Sequence, residues 1–132
     1  MSAPKPARED VTVNLWVVVM RFSVPVDLAD GFREEASTVA RLLAGNDGCH
    51  GVNVGRASDD PTLWVMTARW ESVGHYRRAL SSYEMKMHGV PLLSRAIDEP
   101  TAFEVLFTLD ADGERAASSD LAGDASTLDR SR

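Results

Sequence analysis

Hydrophobic and polar positions change their period several times along the chain, and each change predicts a new secondary-structure element. Residues 11–24 are dense in β-branched and aromatic side chains, which favours a β-strand. In residues 27–44 the apolar positions recur every three or four residues, which predicts an amphipathic helix. Asp27 is the expected N-cap of this helix, and Gly45 is its expected end.

The middle of the chain has the pattern of a β-hairpin followed by a helix. Residues 49–57 and 62–70 predict two strands, and the Ser-Asp-Asp-Pro sequence at 58–61 has the composition of a tight turn. Ser72 then stands where a helix N-cap is expected, and we expect the second helix to end near Ser82.

The remaining elements complete a known order. We expect residues 83–89 to be irregular or loosely helical, 91–97 to form a short helix that begins at Pro91, and 101–109 to form the last strand. The order is that of an α+β, ferredoxin-like split βαβ fold: an antiparallel sheet with helices on one face.

Apolar side chains occupy both faces of the first predicted strand. They are Trp16, Val18, Met20 and Phe22 on one face, and Leu15, Val17 and Val19 on the other. The helices of so short a chain can cover only one face of the sheet. The apolar residues of the second face therefore predict that another layer packs against it. A second copy of the sheet is the simplest such layer, and it would give a homodimer that pairs through the sheet face.

The length and composition of the chain limit how many domains it can form and which partners it is expected to bind. The chain of 132 residues predicts one domain, residues 11–109, preceded by a disordered lead at 1–10 and followed by a flexible acidic tail at 110–132. The net charge is −6, and no basic stripe is present. We therefore expect neither nucleic acid nor a membrane as a partner.

Cysteine content and the longest apolar run bear on the compartment. Cys49 is the single cysteine, so it has no partner within the chain for a disulfide. The first ten residues lack the apolar stretch of a secretory signal, and the run at 15–20 is too short to span a bilayer. These features predict a cytoplasmic protein.

Several local motifs occur in the order found in one protein family. They are Val24-Pro25 before the first helix, Asp47-Gly48-Cys49-His50-Gly51 before the second strand, Trp70-Glu71-Ser72 followed by Tyr76, and Phe103-Glu104-Val105 in the last strand. In this order and spacing, roughly residues 13–107 resemble the antibiotic biosynthesis monooxygenase (ABM) family.

The resemblance implies a dimeric α+β barrel in which two sheets pack face to face and each subunit keeps a pocket between its sheet and its helices. Members include oxygenases that attack aromatic polyketide or quinol-like molecules without metal or flavin, because the deprotonated substrate itself supplies electrons to O2. Other members bind and break haem, and many have no known activity. Fold alone does not decide among these functions.

The resemblance and the pattern together give a set of candidate site residues. The catalytic candidates are Trp70, Tyr76 and His88, and the candidates for contact with a hydrophobic small molecule are Met20, Phe22, Tyr83 and Met87. The predicted function is a cofactor-independent monooxygenase of an aromatic or quinol-like molecule, with His88 or His75 as the base. The competing interpretation is an ordinary core, and thus a non-catalytic dimeric binding module.

Haem is the alternative cofactor. His88 follows Trp70 by 18 residues, which matches the iron-ligating histidine of haem-degrading relatives. Those relatives also carry an asparagine on the first strand and a tryptophan on the second helix, where this chain has Met20 and Ala79. His50 and His75 have no partner at a metal-ligand spacing, so no dedicated metal site is expected.

Overall fold

The structure is a computed structural model that describes residues 14–119 and 121. The chain divides into two compact units, Leu15–Phe103 and a second unit formed by the two ends of the chain. The predicted lead, residues 1–10, lies outside the described residues, as does most of the tail beyond residue 119. The two predicted domain boundaries stay predictions.

The main unit has the predicted α+β order. Its elements are β1 (Trp16–Ser23), a 3-10 turn (Val26–Leu28), α1 (Ala29–Ala44), β2 (Cys49–Arg56), β3 (Leu63–Trp70), α2 (Val73–Leu80), a π-helical turn (Met85–Gly89), α3 (Val90–Leu93) and β4 (Ala102–Glu104). The sheet has the strand order β2-β3-β1-β4, so the ferredoxin-like fold is confirmed.

Strand register places the large side chains of β1 and β3 opposite one another. The two strands are antiparallel, with Phe22 opposite Trp64 at one end and Trp16 opposite Trp70 at the other. Residues at every second position share a face of the sheet. One face therefore carries a continuous row of large apolar groups.

The helices cover this face and bury it. The buried sheet residues are Val18, Met20, Phe22, Trp64, Met66, Ala68 and Trp70, and the helical residues packed with them include Phe32, Ala36, Val39, Leu43, Ala79, Met85 and Leu92. The buried positions of α1 recur every three or four residues, as the pattern predicted. Each large buried side chain contributes about 1.5–3 kcal/mol through its removal from water.

The opposite side of the sheet mixes apolar side chains with polar ones and is only partly buried. We call it the open face; its apolar members are Leu15, Val17, Val19, Leu63, Val65 and Phe103. Phe103 belongs to it because its neighbour Ala102 packs on the core and successive side chains alternate between faces. The ring of Phe103 is 46% exposed.

The predicted start of the first helix is wrong by two residues. Asp27 lies inside the 3-10 turn, and the N-cap position falls on Leu28, whose side chain forms no capping bond. The backbone N–H of Leu28 donates to the carbonyl of Pro25 at 2.9 Å, which closes the tighter turn first. Gly45 does end the helix, as predicted.

The chain between α2 and β4 also differs from its prediction. Residues 83–93 are helical throughout, and the helix ends at Leu93 instead of Ile97. Ser82 starts this segment, because its Oγ accepts a hydrogen bond from the N–H of Met85 at 3.2 Å. Beyond it, the N–H of Ile97 donates to the carbonyl of Arg21 at 2.8 Å, which holds the backbone extended along β1.

The last predicted strand is two strands. β4 ends at Glu104, and the second unit contains a hairpin of β5 (Phe107–Asp110) and β6 (Gly113–Ala116). The turn is fixed by Asp110, whose carboxylate accepts from the N–H of Asp112 at 2.9 Å, and by Gly113 with φ of 113°. β6 therefore forms inside the segment that composition assigned to a flexible tail.

Candidate functional site

Two aromatic rings meet where β3 ends and α2 begins. Trp70 is the last residue of β3 and is 0% exposed. Tyr76 lies in the first turn of α2, and the two ring centroids are 5.5 Å apart with a tilt of 48°. Rings in this geometry gain attraction beyond their buried area. We call Trp70 and Tyr76 the aromatic pair.

Local sequence chemistry sets the position of the aromatic pair. Ser72 caps α2, because its Oγ accepts from the backbone N–H of His75 at 3.2 Å. The helix therefore begins directly after the strand, and its first turn places the ring of Tyr76 against the ring of Trp70. The predicted cap and the predicted helix start are both confirmed here.

The aromatic pair carries two hydrogen-bond donors in apolar surroundings. The indole Nε1 of Trp70 is buried, and no acceptor contacts it in the described part of the protein. Burial raises the pKa of Tyr76 above its usual range, so its phenol stays protonated at neutral pH. An unsatisfied buried donor costs free energy, so an acceptor brought to Trp70 would be favoured.

His75 lies beside Tyr76 in the chain and is held at two points. Its Nδ1 is 2.8 Å from the Oγ of Ser72. Its ring packs on Gly48, where a Cβ would overlap the imidazole. The backbone of Gly48 also has φ of 87°, which favours glycine. The imidazole is half-buried, with a fixed orientation.

An apolar cleft opens elsewhere on the covered side of the sheet. It encloses about 460 Å³ and is lined by Phe22, Ser23, Val24, Pro25, Leu28, Gly31, Phe32, Glu35 and Arg95. The rings of Phe22 and Phe32 lie 5.2 Å apart, and the Arg95 guanidinium pairs with the Glu35 carboxylate at 3.0 Å. We call this space the apolar cleft; it suits a ring-bearing molecule with one polar group.

The strand register separates the apolar cleft from the aromatic pair. Phe22 lies opposite Trp64, whereas Trp70 lies opposite Trp16, six residues back along β1. Six residues of strand span roughly 20 Å. Met20 and Met66 face each other between the two ends. The candidate residues on this face therefore lie along one row and not around a single point.

The other candidates point away from the core. Tyr83 is 73% exposed and Met87 is 52% exposed. His88, in the π-helical turn, is exposed as well, whereas its near neighbour Met85 is 0% exposed. The structure thus brings Trp70 and Tyr76 together and leaves the three candidates at 83, 87 and 88 on the surface. Their roles stay predictions.

Sequence reasoning predicted Phe22 at this end of the sheet but missed Trp64 and Arg95. Trp64 is buried and packs edge-on against Phe32 with a centroid distance of 5.3 Å. Arg95 comes from the far end of the main unit, and its pairing with Glu35 joins residues sixty positions apart. The alternation of Trp64, Met66 and Ala68 gave a signal for Trp64, but no local pattern marks Arg95.

The described residues do not fit a known haem or metal site. Within residues 14–119 and 121, no group of three His, Cys, Asp or Glu side chains could hold a metal ion. Met20 and Ala79, where haem-degrading relatives carry polar or bulky groups, are buried apolar residues. His88 is exposed. We derive no step through haem. No helix in the described part is long and apolar enough to cross a bilayer.

The fold and the aromatic pair define a class: a ferredoxin-like α+β domain with aromatic side chains at the junction of the third strand and the second helix. The model of one family, antibiotic biosynthesis monooxygenase, matches residues 16–88, more than half of the chain. The chain belongs to the antibiotic biosynthesis monooxygenase family. No curated protein matches it in sequence.

Solved structures with the same fold agree with this assignment. SnoaB of Streptomyces nogalater, a cofactor-independent oxygenase, is 25% identical in a mutant form, with a TM-score of 0.63 over 74% of this chain and 98% of SnoaB. A conserved protein of Methanosarcina mazei Go1 is 20% identical, with a TM-score of 0.59 over 70% of this chain and 94% of its own. The second likeness shows the fold alone.

Proposed function

We propose that this protein is a cofactor-independent monooxygenase that acts on an aromatic or quinol-like small molecule. The observation that carries the proposal is the aromatic pair, in which a buried indole N–H that has no acceptor among the described residues belongs to a ring beside a protonated phenol. Membership of the family and the likeness to SnoaB, a cofactor-independent oxygenase, support the same reaction type.

The aromatic pair suits a substrate oxygen that gains negative charge. Donors that are already fixed in a poorly solvated place stabilise such an oxygen without reorganisation. The Tyr76 hydroxyl would be one such donor, and the Trp70 Nε1 would be a second where the bound substrate reaches it. They would favour the deprotonated form of a phenol or an enol, which is the electron-rich form that can react with O2.

The reaction needs no external reductant. When O2 converts a ring methylene into a carbonyl, one oxygen atom enters the product, the other leaves as water, and the substrate supplies all four electrons. The protein then has only to bind the ring, favour loss of a proton and limit access of water. Met20, buried on the same face as Trp70, would form part of the apolar wall, whereas Phe22 lines the apolar cleft at the other end of the sheet.

Two histidines are the candidate bases. His75 is half-buried and oriented by Ser72, and it precedes Tyr76 directly. His88 is exposed on the π-helical turn. We propose His75 as the stronger candidate, because a base must lie within reach of the proton that it removes. His75→Gln should then lower turnover more than His88→Gln, and the reverse order would return the role to His88.

The test of the function is oxygen consumption with a panel of anthrones and quinols. We expect turnover without added metal or flavin, and we expect Tyr76→Phe to lower kcat about a hundredfold, because removal of one oxyanion donor has a cost of this size. Tyr83→Phe removes the same hydroxyl from an exposed ring and should cost no more than a few-fold. Binding of ring compounds without oxygen uptake would favour the non-catalytic module instead.

We also propose that two copies pair through the open face. The half-buried valines of β1 and β3 and the exposed ring of Phe103 support this proposal, since a sheet face of such composition is commonly covered by another layer. In a two-fold pair the same patch meets itself, so one surface is sufficient.

A further inference from the structure

A second cleft lies between α1 and β2, and its lining differs in chemistry from the apolar cleft. It encloses about 380 Å³ and is lined by Arg33, Ser37, Val54, Gly55, Arg56 and Trp64. Two guanidinium groups and no carboxylate line it, although the chain has a net charge of −6. We call it the arginine cleft.

The two arginines of the arginine cleft retain free donors. Arg56 donates only its Nε, to the carbonyl of Pro61 at 2.8 Å, which leaves its two terminal nitrogens without a partner among the described residues. Its guanidinium lies over the ring of Trp64, 5.1 Å from the centroid. Arg33 makes no ion pair or side-chain hydrogen bond within residues 14–119 and 121. The cleft therefore offers positive charge and guanidinium N–H groups that are available to bind an anion.

Trp64 adds an independent observation. It is 6% exposed, and its Nε1 is buried without an acceptor in the described part of the protein. Only the two indole nitrogens of Trp64 and Trp70 have this status among the described side chains. A donor buried without a partner is costly, so the Trp64 Nε1 would be stabilised by an acceptor that ligand binding brings within reach.

We propose that the arginine cleft binds a small aromatic carboxylate. The forked guanidinium of Arg56 matches the two oxygens of a carboxylate, and Arg33 supplies the second positive charge. Val54 and Gly55, which are both partly exposed, offer the apolar surface on which a flat ring can lie. A carboxylate oxygen that reaches the Trp64 Nε1 would give it the acceptor that it lacks among the described residues. This site is separate from the aromatic pair, and its test is independent of any turnover.

The experiment is a titration of the 15N-labelled protein with sodium benzoate, followed through the indole N–H signals of its three tryptophans. Trp64→Phe identifies the Trp64 signal by its loss. We expect benzoate to move that signal to saturation while the Trp70 signal stays in place. Benzamide, which has the same ring and no charge, should move it far less, and inorganic phosphate should bind more weakly than benzoate.

Arginine variants test the proposed contacts. Arg33→Gln and Arg56→Gln should each weaken benzoate binding about tenfold or more, the usual cost of a lost charged hydrogen bond. Arg77→Gln makes the same change of charge on the exposed side of α2 and should leave the affinity unchanged. The backbone spectrum reports whether each variant is folded.

Four results would overturn the proposal. The first two are an unmoved Trp64 signal at millimolar benzoate and an equal response to benzamide. The other two are an equal loss of affinity in Arg77→Gln and tighter binding of inorganic phosphate than of benzoate.

Discussion

Both faces of the same sheet carry large apolar side chains, but the surroundings of these side chains differ between the faces. On the covered face Phe22 is 2% exposed, whereas on the open face Phe103 is 46% exposed. Valines of β1 occur on both faces, yet Val18 is fully buried and Val17 and Val19 are only half-buried. The exposure of a strand residue therefore depends on which elements pack against its face of the sheet and not on its residue type.

This contrast assigns separate tasks to the two faces. The covered face contains the hydrophobic core, which stabilises the domain. It also contains the donors of the aromatic pair, whose interactions are strong because water is excluded there. The open face contributes little to the fold of one chain and is available for pairing. Variants on the two faces should therefore change different properties.

The largest effect is expected from matched phenylalanine truncations. Phe22→Ala should destabilise the domain by about 3–5 kcal/mol, because it leaves a cavity in the core. Phe103→Ala should cost less than about 1 kcal/mol, since its ring is already half in water. Urea unfolding of both, in a Val19→Lys background that should suppress the proposed pairing, measures the difference. Equal losses would mean that the faces do not differ in this way.

Much of this contrast could be predicted from the sequence. The alternation in residues 15–22 gave both faces of β1, and the three-to-four spacing in α1 gave the helical layer that covers one of them. The helix start at Asp27 and the single strand 101–109 were wrong for local reasons. A 3-10 turn formed at Pro25, and the Asp-Ala-Asp-Gly turn at 110–113 produced a hairpin that composition alone hid.

A smaller effect is expected at the helix cap on the covered face. Ser72→Ala removes the acceptor for the N–H of His75 and should cost about 1 kcal/mol. It should also loosen the position of Tyr76, so ring contact with Trp70 would weaken. Thermal unfolding gives the first effect, and near-ultraviolet circular dichroism reports the second. Ser81→Ala, at the exposed end of α2, is the matched control and should have little effect on either measurement.

Burial of Tyr76 on the covered face should also affect how the stability of the protein changes at alkaline pH. Burial raises the pKa of Tyr76 in the folded state, so folding favours the protonated phenol. This contribution is complete below about pH 10, the usual pKa of tyrosine, and is lost as pH rises through the higher folded value. Tyr76→Phe should make the fall of stability above about pH 10 less steep in urea titrations. An unchanged slope would contradict a desolvated phenol.

The smallest effect is expected on the open side of β1. A hydrogen bond from Arg21 lowers the pKa of Glu99, and the two side chains are joined at 2.8 Å. The stability from this pair is present above the usual glutamate pKa of about 4.3 and is lost as pH falls through the lower folded value. Glu99→Gln should flatten this acid dependence slightly, because both groups reach solvent.

The candidate site was less accessible from sequence than the fold. The motif of Trp70 and Tyr76 predicted a true contact, because strand end, cap and helix start are all local signals. The positions of Tyr83, Met87 and His88 depend on how residues 83–93 wind, and a continuous helical segment there turns these side chains outward. Long-range pairings such as Arg95 with Glu35 leave no local pattern to detect.

The central claim is that the open face is completed by a second copy of the chain, and sedimentation equilibrium tests it most directly. At micromolar concentration the wild-type protein should have twice the mass of one chain. Val19→Lys places a charge at the middle of the open face, opposite Thr67, and should sediment as a single folded chain. A wild-type protein that stays at the mass of one chain throughout this range would contradict the account.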